Sequence, residues 1–166
     1  NNVDHCARLC HASTVAGLAR AFGSGAMTNS IDEIQNSECI FVIGSNTTEA
    51  HPVLGVEVKK AVRQNGAKLI VADPRAIGLV EFAGLHIPHR PGSDVALINA
   101  MMHVIIKEGL ADDEFISSRC ENFQVVADIV KDFTPEKAAG ITKVPAEDII
   151  KAARMFATAT TGSIIY

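Results

Sequence analysis

The chain has 166 residues, of which 48% are hydrophobic and 20% are charged, and its formal net charge at pH 7 is -4. This length and apolar content suit one domain with a sizeable core, spanning residues 1–166, which we expect to be a fragment of a larger subunit because the chain opens on Asn1 rather than Met. The negative charge argues against a nucleic-acid partner or an anionic membrane surface, and no apolar run approaches the roughly 20 residues that span a bilayer.

The first part of the chain carries two predicted helices. Apolar residues at helical spacing predict a helix over residues 13–22, with Ser13 or Thr14 as its N-cap. Ser30, followed three positions later by Glu33, has the pattern of a capping box and predicts a short helix that begins there.

Short apolar runs farther along predict strands, and the continuous run at residues 39–43 predicts a strand that is buried on both faces, as in a parallel sheet. These runs occupy residues 39–43, 68–72, 85–87 and 162–166. Helical patterns cover residues 52–65, 94–108 and 112–158. The second of these helices is apolar nearly all round, so we expect it to be packed on several sides. The alternation predicts an α/β fold: a Rossmann-like, mainly parallel sheet with helices on both faces, incomplete at its C-terminal end.

Polar side chains follow each of the first three predicted strands. They are Ser45, Asn46, Thr47, Thr48 and Glu49, then Asp73 and Arg75, then Arg90, Gly92, Ser93 and Asp94. Ligands of open parallel sheets bind beyond the carboxyl ends of the strands, so these loops indicate a nucleotide site, with the helix N-terminus at residues 92–94 suited to a phosphate. Gly44 lacks the G-x-G-x-x-G spacing of a nicotinamide dinucleotide site. The alternative is that these residues only make turns and helix caps.

Two cysteines and two histidines fall within residues 5–11, immediately before the first predicted helix. Three chemistries remain open: a small zinc site, a Cys10 nucleophile with His11 as its base, and a Cys10 thiolate that ligates a soft transition metal together with a cofactor. No second ligand knuckle supports zinc, and adjacent side chains rarely point at one another. Cys39 and Cys120 are expected to be structural, buried as small hydrophobic side chains.

Several segments in register carry a family resemblance that extends over essentially the whole chain. They are HCARLCHASTVAGL at residues 5–18, GSGAMTNS at 23–30, GSNTTEAHP at 44–52, DPR at 73–75, GSD at 92–94 and ALINAM at 96–101. In this order they resemble the catalytic subunit of molybdopterin-dependent formate dehydrogenases, which belong to the molybdopterin oxidoreductase family. The resemblance implies oxidation of formate to carbon dioxide at a molybdenum or tungsten ion held by two molybdopterin guanine dinucleotides, with electrons passing to iron-sulfur clusters.

The resemblance also implies roles for individual residues at matching positions. Cys10 would ligate the metal, and His11 would handle the proton or position formate. The guanine dinucleotide part of the cofactor would be contacted by Asn46, Glu49, Asp73, Arg75, Gly92 and Asp94. Some relatives carry Asp where Glu49 stands and Asn where Asp94 stands, while Cys6 matches a family cysteine to which no ligand role is assigned.

Further components implied by the resemblance are an upstream domain with a 4Fe-4S cluster, a downstream catalytic arginine and a C-terminal domain that completes the cofactor cage. The expected partners are formate, the remainder of the catalytic subunit and an electron-transfer iron-sulfur subunit, in the cytoplasm rather than the periplasm, and the isolated fragment is expected to be inactive. Cys10 followed by His11 favours formate dehydrogenase over periplasmic nitrate reductase. The alternatives are such a related molybdopterin oxidoreductase, or a non-catalytic nucleotide-binding module of the same fold.

Overall fold

A four-stranded parallel sheet forms the centre of the computed structural model, which describes residues 2–166; Asn1, the first residue of the expected domain, lies outside the described residues. The strands are β1 (Cys39–Ile43), β2 (Lys68–Ala72), β3 (Leu85–Ile87) and β4 (Gly162–Ile165). Their order is β3-β2-β1-β4, and each of the three pairings is parallel. The predicted parallel α/β sheet is therefore confirmed.

Helices make up most of the remaining described chain. They are α1 (Ala7–Cys10), α2 (Ala12–Phe22), α3 (Ile31–Ile34), α4 (Thr47–Ala50), α5 (Pro52–Asn65), α6 (Asp94–Lys107), α7 (Asp113–Arg119), α8 (Phe123–Val130), α9 (Pro135–Thr142) and α10 (Ala146–Ala157). A short 3₁₀ helix, Val80–Phe82, precedes β3. Within residues 2–166, none of these helices combines the length and the apolar character needed to cross a membrane.

The two faces of the sheet are covered by different helices. Because side chains alternate along a strand, Phe41 of β1 enters the core formed with α6, α9 and α10, whereas Ile40 and Val42 enter the core formed with α3 and α5. Every residue of β1 is buried, as the continuous apolar run predicted. Complete burial of a side chain such as Ile40 contributes on the order of 2 kcal/mol to folding.

The strand order reverses at β1. From β1 the chain passes through α5 to β2 on one side, while the long crossover through α6 to α10 returns the chain to β4 on the other side. In open α/β sheets the crevice beyond the carboxyl ends of two such strands is where ligands bind. The loop that follows β1 therefore begins at the switch point of the sheet.

Local sequence signals predicted some helix boundaries correctly and others not. The capping box is confirmed, since the Glu33 carboxylate accepts hydrogen bonds from the backbone N–H (2.6 Å) and the hydroxyl (3.0 Å) of Ser30. The helix predicted over residues 13–22 instead begins at Ala12, so Ser13 and Thr14 lie inside it and do not cap it. His11 separates α2 from the unpredicted α1.

One further expectation about helices needs correction, and another is confirmed. The polar stretch after β1, predicted to be a loop, contains the single helical turn α4, which is too short to show a periodic pattern. The apolar helix α6 is packed on several sides, as expected, because it contacts α8, α9 and α10 and buries Leu97 and Ala100; Val95 at its N-terminal end is 70% exposed.

The segment that precedes α3 contributes no buried side chain to the core. No residue from position 2 to position 33 is buried, and Leu9 and Phe22 are 83% and 67% exposed. The helices α1 and α2 contact one another. The hydrophobic core of the described chain thus begins at Ile34.

Candidate functional site

The carboxyl ends of β1, β2 and β3 are level with one another. Ile43 pairs with Ala72, and Ala72 pairs with Ile87, so the three strands end in one row. The backbone N–H of Gly44 donates to the carbonyl oxygen of Ala72 at 2.9 Å, which extends this row by one residue. Neighbouring strands lie about 4.8 Å apart, so the three polar loops begin side by side. The gathering of these loops at one edge is confirmed.

The loop after β1 holds Asn46 and Glu49. Asn46 is half-buried, and its Oδ1 accepts a hydrogen bond from the Thr48 hydroxyl at 2.9 Å, which leaves the amide nitrogen as a donor. Glu49 lies in α4 and is exposed. Gly55 of α5 allows this loop to pack closely, because a Cβ there would lie 3.2 Å from Cα of Thr48.

The loop after β2 is organised by Asp73, which is only 3% exposed. Its Oδ1 accepts a hydrogen bond from the backbone N–H of Arg75 at 2.8 Å and lies 3.5 Å from Nε of the same arginine. His86 Nε2 donates to the backbone carbonyl oxygen of Asp73 at 2.9 Å. No described residue donates to Oδ2 of Asp73, so that oxygen is left to accept a hydrogen bond from a ligand. The Arg75 side chain is 69% exposed and can approach a phosphate.

The loop after β3 is a tight turn that starts α6. Ser93 N–H donates to the Arg90 carbonyl oxygen at 3.1 Å, with Pro91 and Gly92 at the central positions. Gly92 has φ +78°, which the third position of a type II turn requires and which side chains other than glycine rarely adopt. Nothing lies within 4 Å of where a Gly92 Cβ would stand. The start of α6 is therefore open to a ligand at this glycine.

Asp94, the first residue of α6, is held by a neighbour in the same loop. Its Oδ1 accepts a hydrogen bond from Nε2 of His89 at 2.9 Å, and its side chain is 44% exposed. A carboxylate at this position is also stabilised by the positive end of the helix dipole. Together with Asp73, it gives the edge two carboxylates that can accept hydrogen bonds from a donor-rich ligand such as a base edge or a ribose diol.

Cys10 and His11 lie outside this arrangement. Cys10 is the last residue of α1, His11 is the junction with α2, and both side chains are exposed. Cys10 stands one helical turn after Cys6, whose carbonyl oxygen accepts its N–H at 3.1 Å. Within residues 2–166, no hydrogen bond joins this pair to the three loops, and no group of three or more His, Cys, Asp or Glu side chains is arranged to hold a metal ion. The structure brings the strand-tip residues together but does not bring Cys10 and His11 to them.

The other two cysteines, Cys39 and Cys120, differ in burial. Cys39 is completely buried in β1, as expected, and burial raises the pKa of its thiol to about 11. Cys120 is exposed at the end of α7, so the expectation that it is buried is wrong. The helix α7, which ends just before Cys120, buries none of its residues, so Cys120 has no core beside it to enter.

Sequence reasoning missed three contacts that orient the predicted residues. Thr48 bonds to the Asn46 side chain, His86 to the Asp73 backbone, and His89 to the Asp94 side chain. The hydroxyl of Thr48, two positions after an asparagine, is a local pattern that the sequence could have revealed. The two histidines act across a loop or between strands, and no sequence spacing predicts those contacts.

Two surface cavities lie away from the strand tips. One, of about 430 Å³, is lined by β2 and α10 residues including Lys68 and Lys151, and the other, of about 230 Å³, lies between α6 and α9 beside His103. Neither is lined by a residue of the three loops. We place the candidate site at the strand tips because that is where carboxylates, an arginine and a helix N-terminus converge.

Comparison with known proteins places this chain in a family. Residues 1–160 match the family model described as molybdopterin oxidoreductase. The chain is 49% identical over 166 residues to the F420-dependent formate dehydrogenase subunit alpha of Methanocaldococcus jannaschii and 48% identical to formate dehydrogenase H of Escherichia coli, covering all of this chain. It spans 24% and 23% of those relatives, about a quarter of their length.

A solved structure supports the same α/β fold. Acetylene hydratase from Pelobacter acetylenicus superposes with a TM-score of 0.87 and 34% identity, over 96% of this chain and 22% of that protein. The chain belongs to the molybdopterin oxidoreductase family.

Proposed function

We propose that this chain is part of the catalytic subunit of a formate dehydrogenase. The reaction breaks the C–H bond of formate and yields carbon dioxide, one proton and two electrons. The observation that carries the proposal is the 48–49% identity to formate dehydrogenase subunits over all 166 residues. Acetylene hydratase shares the fold at only 34% identity, so the fold by itself does not select this reaction.

The strand-tip edge fits the nucleotide part of a molybdopterin guanine dinucleotide. Guanine presents N–H donors along one edge, and the edge of the sheet offers the free Oδ2 of buried Asp73 and the half-exposed carboxylate of Asp94. Arg75 is exposed beside Asp73 and suits a phosphate, and Gly92 leaves open space at the start of α6. Asn46 and Glu49 extend this surface at the switch point of the sheet. In this proposal residues 1–166 act as one dinucleotide-binding domain.

The thiolate of Cys10 would hold the metal in this proposal. A single exposed Cys suits a soft molybdenum or tungsten ion whose remaining ligands come from the cofactor. His11, also exposed, has an imidazole nitrogen that can act as a proton acceptor, and it would take the proton that formate releases. When bound, the metal centre accepts the two electrons, which an iron-sulfur relay in the rest of the subunit and its partner would carry away.

The test uses the full-length catalytic subunit with its cofactor. We expect formate-dependent reduction of a viologen dye, bound molybdenum or tungsten, and guanine nucleotide released by acid hydrolysis. Cys10→Ala should abolish dye reduction and alter the metal spectrum, whereas Cys6→Ala, at a second exposed thiol one turn away, should change neither by more than about twofold.

Three results would contradict the proposal. A wild-type subunit without pterin or guanine nucleotide would support a non-catalytic module. Activity with nitrate and none with formate would assign the chain to a different member of the family. Equal losses from the two cysteine variants would indicate a site that both thiols form.

A further inference from the structure

His89 is a polar side chain enclosed in the protein close to the candidate site. It is 2% exposed and lies two residues beyond the end of β3, in the loop that leads to α6. A buried polar ring needs hydrogen-bond partners, because leaving its nitrogens unpaired costs the free energy of their lost hydration. The partners of this ring therefore explain why a histidine is stable here.

Both ring nitrogens of His89 face oxygen acceptors. Nε2 lies 2.9 Å from Oδ1 of Asp94, and Nδ1 lies 3.4 Å from the carbonyl oxygen of Ile87. Since the carboxylate can only accept, Nε2 carries the hydrogen and donates it to Asp94. The shorter contact is thus a directed hydrogen bond from a buried donor to a partly exposed carboxylate.

The loop that holds the ring is itself fixed. The backbone N–H of His89 donates to the carbonyl oxygen of Ile87 at 2.9 Å, and the next residue, Arg90, donates to the carbonyl oxygen of Thr142 at the end of α9 at 2.8 Å. The ring therefore cannot turn away from Asp94 without disturbing the packed chain around it. Oδ1 is engaged from the protein side, the Asp94 side chain is 44% exposed, and no described residue donates to Oδ2, so Oδ2 is the oxygen that is free to accept from a ligand.

We propose that His89 is a positioning residue, which fixes the Asp94 carboxylate so that one oxygen is presented to the nucleotide. This inference rests on the proposed function, because Asp94 is taken to contact the guanine dinucleotide. An aspartate at the first position of a helix otherwise samples several rotamers and can bond to backbone N–H groups of its own first turn. Fixing it before the ligand arrives removes that ordering cost from binding.

The alternative is that His89 only fills the core. In that case a side chain of similar volume should replace it at no cost to the nucleotide, and its effect should not depend on Asp94. In our proposal the effect of His89 passes through Asp94, so the two substitutions should not add. This difference can be measured without any assay of formate turnover.

The experiment compares His89→Leu, His89→Gln, Asp94→Ala and the Leu–Ala double variant in the full-length catalytic subunit. The readout is guanine nucleotide per protein after extended dialysis, measured by acid release, together with the thermal midpoint. We expect His89→Leu to lower retained nucleotide roughly two- to tenfold, in line with the ordering cost of one side chain. His89→Gln, whose amide also donates, should restore most of it, and His89→Leu should cause no further loss when Asp94 is already alanine.

The possible failures are distinguishable. If the wild-type subunit contains no guanine nucleotide, both the proposed function and this inference are wrong. If the wild-type subunit is loaded but His89→Leu retains full nucleotide, or its loss adds to that of Asp94→Ala, the inference alone is overturned. If His89→Leu does not fold, His89→Met, which also lacks a donor, takes its place in the same comparison: a loss of nucleotide that disappears when Asp94 is already alanine supports the positioning role, and full retention overturns it.

Discussion

Glu108, the residue after α6, accepts two hydrogen bonds from the guanidinium of Arg154 on α10, one from Nε and one from Nη2, each at 2.8 Å. This paired contact joins the two helices that cover most of one face of the sheet. The hydrogen bonds from Arg154 hold the pKa of the Glu108 carboxyl below its ordinary value of 4.5 and raise the pKa of Arg154. The pair therefore couples the stability of this face to pH.

The first prediction concerns Glu108→Gln. Because the folded protein lowers the pKa of this carboxyl, the ionised form stabilises the fold above the unfolded value, and that stabilisation is lost as the pH falls through the folded value. Glu108→Gln should unfold at lower urea concentration than wild type at pH 7, and the gap should narrow as the pH falls below 4.5, the ordinary pKa of this carboxyl. Glu121→Gln, at an exposed carboxylate with no ion-pair partner among residues 2–166, should show no such gap at pH 7. A gap that does not narrow as the pH falls would contradict the electrostatic origin.

The second prediction compares two helical glycines. Gly140 of α9 has open space where a Cβ would stand, so Gly140→Ala should stabilise the chain by about 0.5–1 kcal/mol through helix propensity. Gly55→Ala gains the same propensity, but its Cβ would stand 3.2 Å from Cα of Thr48 and 3.3 Å from the Thr47 carbonyl oxygen. Backbone atoms cannot move aside as a flexible side chain can, so this variant should be less stable than Gly140→Ala.

The same two variants also test whether the position of the Thr47–Ala50 turn affects nucleotide binding. Displacing the Thr47–Ala50 turn also displaces Asn46 and Glu49, so Gly55→Ala should lower retained guanine nucleotide in the assembled subunit, while Gly140→Ala should not. Urea unfolding and nucleotide release measure the two effects separately. Equal stability and equal nucleotide content in both variants would show that the close approach of α5 to this loop has no consequence.

The third prediction concerns thiol reactivity in the 166-residue chain. Only the thiolate reacts with a maleimide, and a pKa of about 11 leaves roughly one Cys39 thiol in a thousand ionised at pH 8. Burial in β1 also blocks access of the reagent. Mass spectrometry of the folded chain should show three adducts, at Cys6, Cys10 and Cys120, and a fourth only in denaturant. A fourth adduct at the rate of the other three would mean that β1 opens readily.

The fourth prediction separates the structural from the binding role of Asp73. Asparagine keeps the Oδ1 acceptor for the Arg75 N–H, so Asp73→Asn should fold nearly as stably as wild type, whereas Asp73→Ala should lose about 1 kcal/mol, the usual net value of one hydrogen bond. Both variants remove the charge and the free Oδ2, so both should retain less guanine nucleotide in the assembled subunit. Full retention by Asp73→Asn would show that the carboxylate does not contact the nucleotide.

Local patterns in the sequence were sufficient for most of the fold. The continuous apolar runs identified all the strands found within residues 2–166, and Pro52 and Gly66 marked the ends of α5, where Gly66 adopts φ +72°. The capping box at Ser30 was also readable, because its partner is three residues away. Such features depend only on residues that are close together in the sequence, so they can be predicted from a single sequence.

Features that depend on three-dimensional surroundings were not predictable. The four-residue helices α1 and α4 are too short to show periodicity, and the exposure of Cys120 depends on how little of α7 is covered. At the candidate site, the residues on the strand tips followed from the strand pattern, but the bond from His89 to Asp94 depends on the path of the loop that joins them. Sequence spacing identified the residues of this edge and not the contacts that orient them.

The exposed segment that precedes α3 has a consequence for how the chain unfolds. Cooperative unfolding is driven by buried apolar surface, and residues 2–33 bury none of their side chains, so they add little to the denaturant sensitivity or the heat capacity of the transition. Amide hydrogens in α1 and α2 should therefore exchange through local opening, well before those of β1. Cys10 is thus carried by a part of the molecule that can open and close while the sheet stays folded.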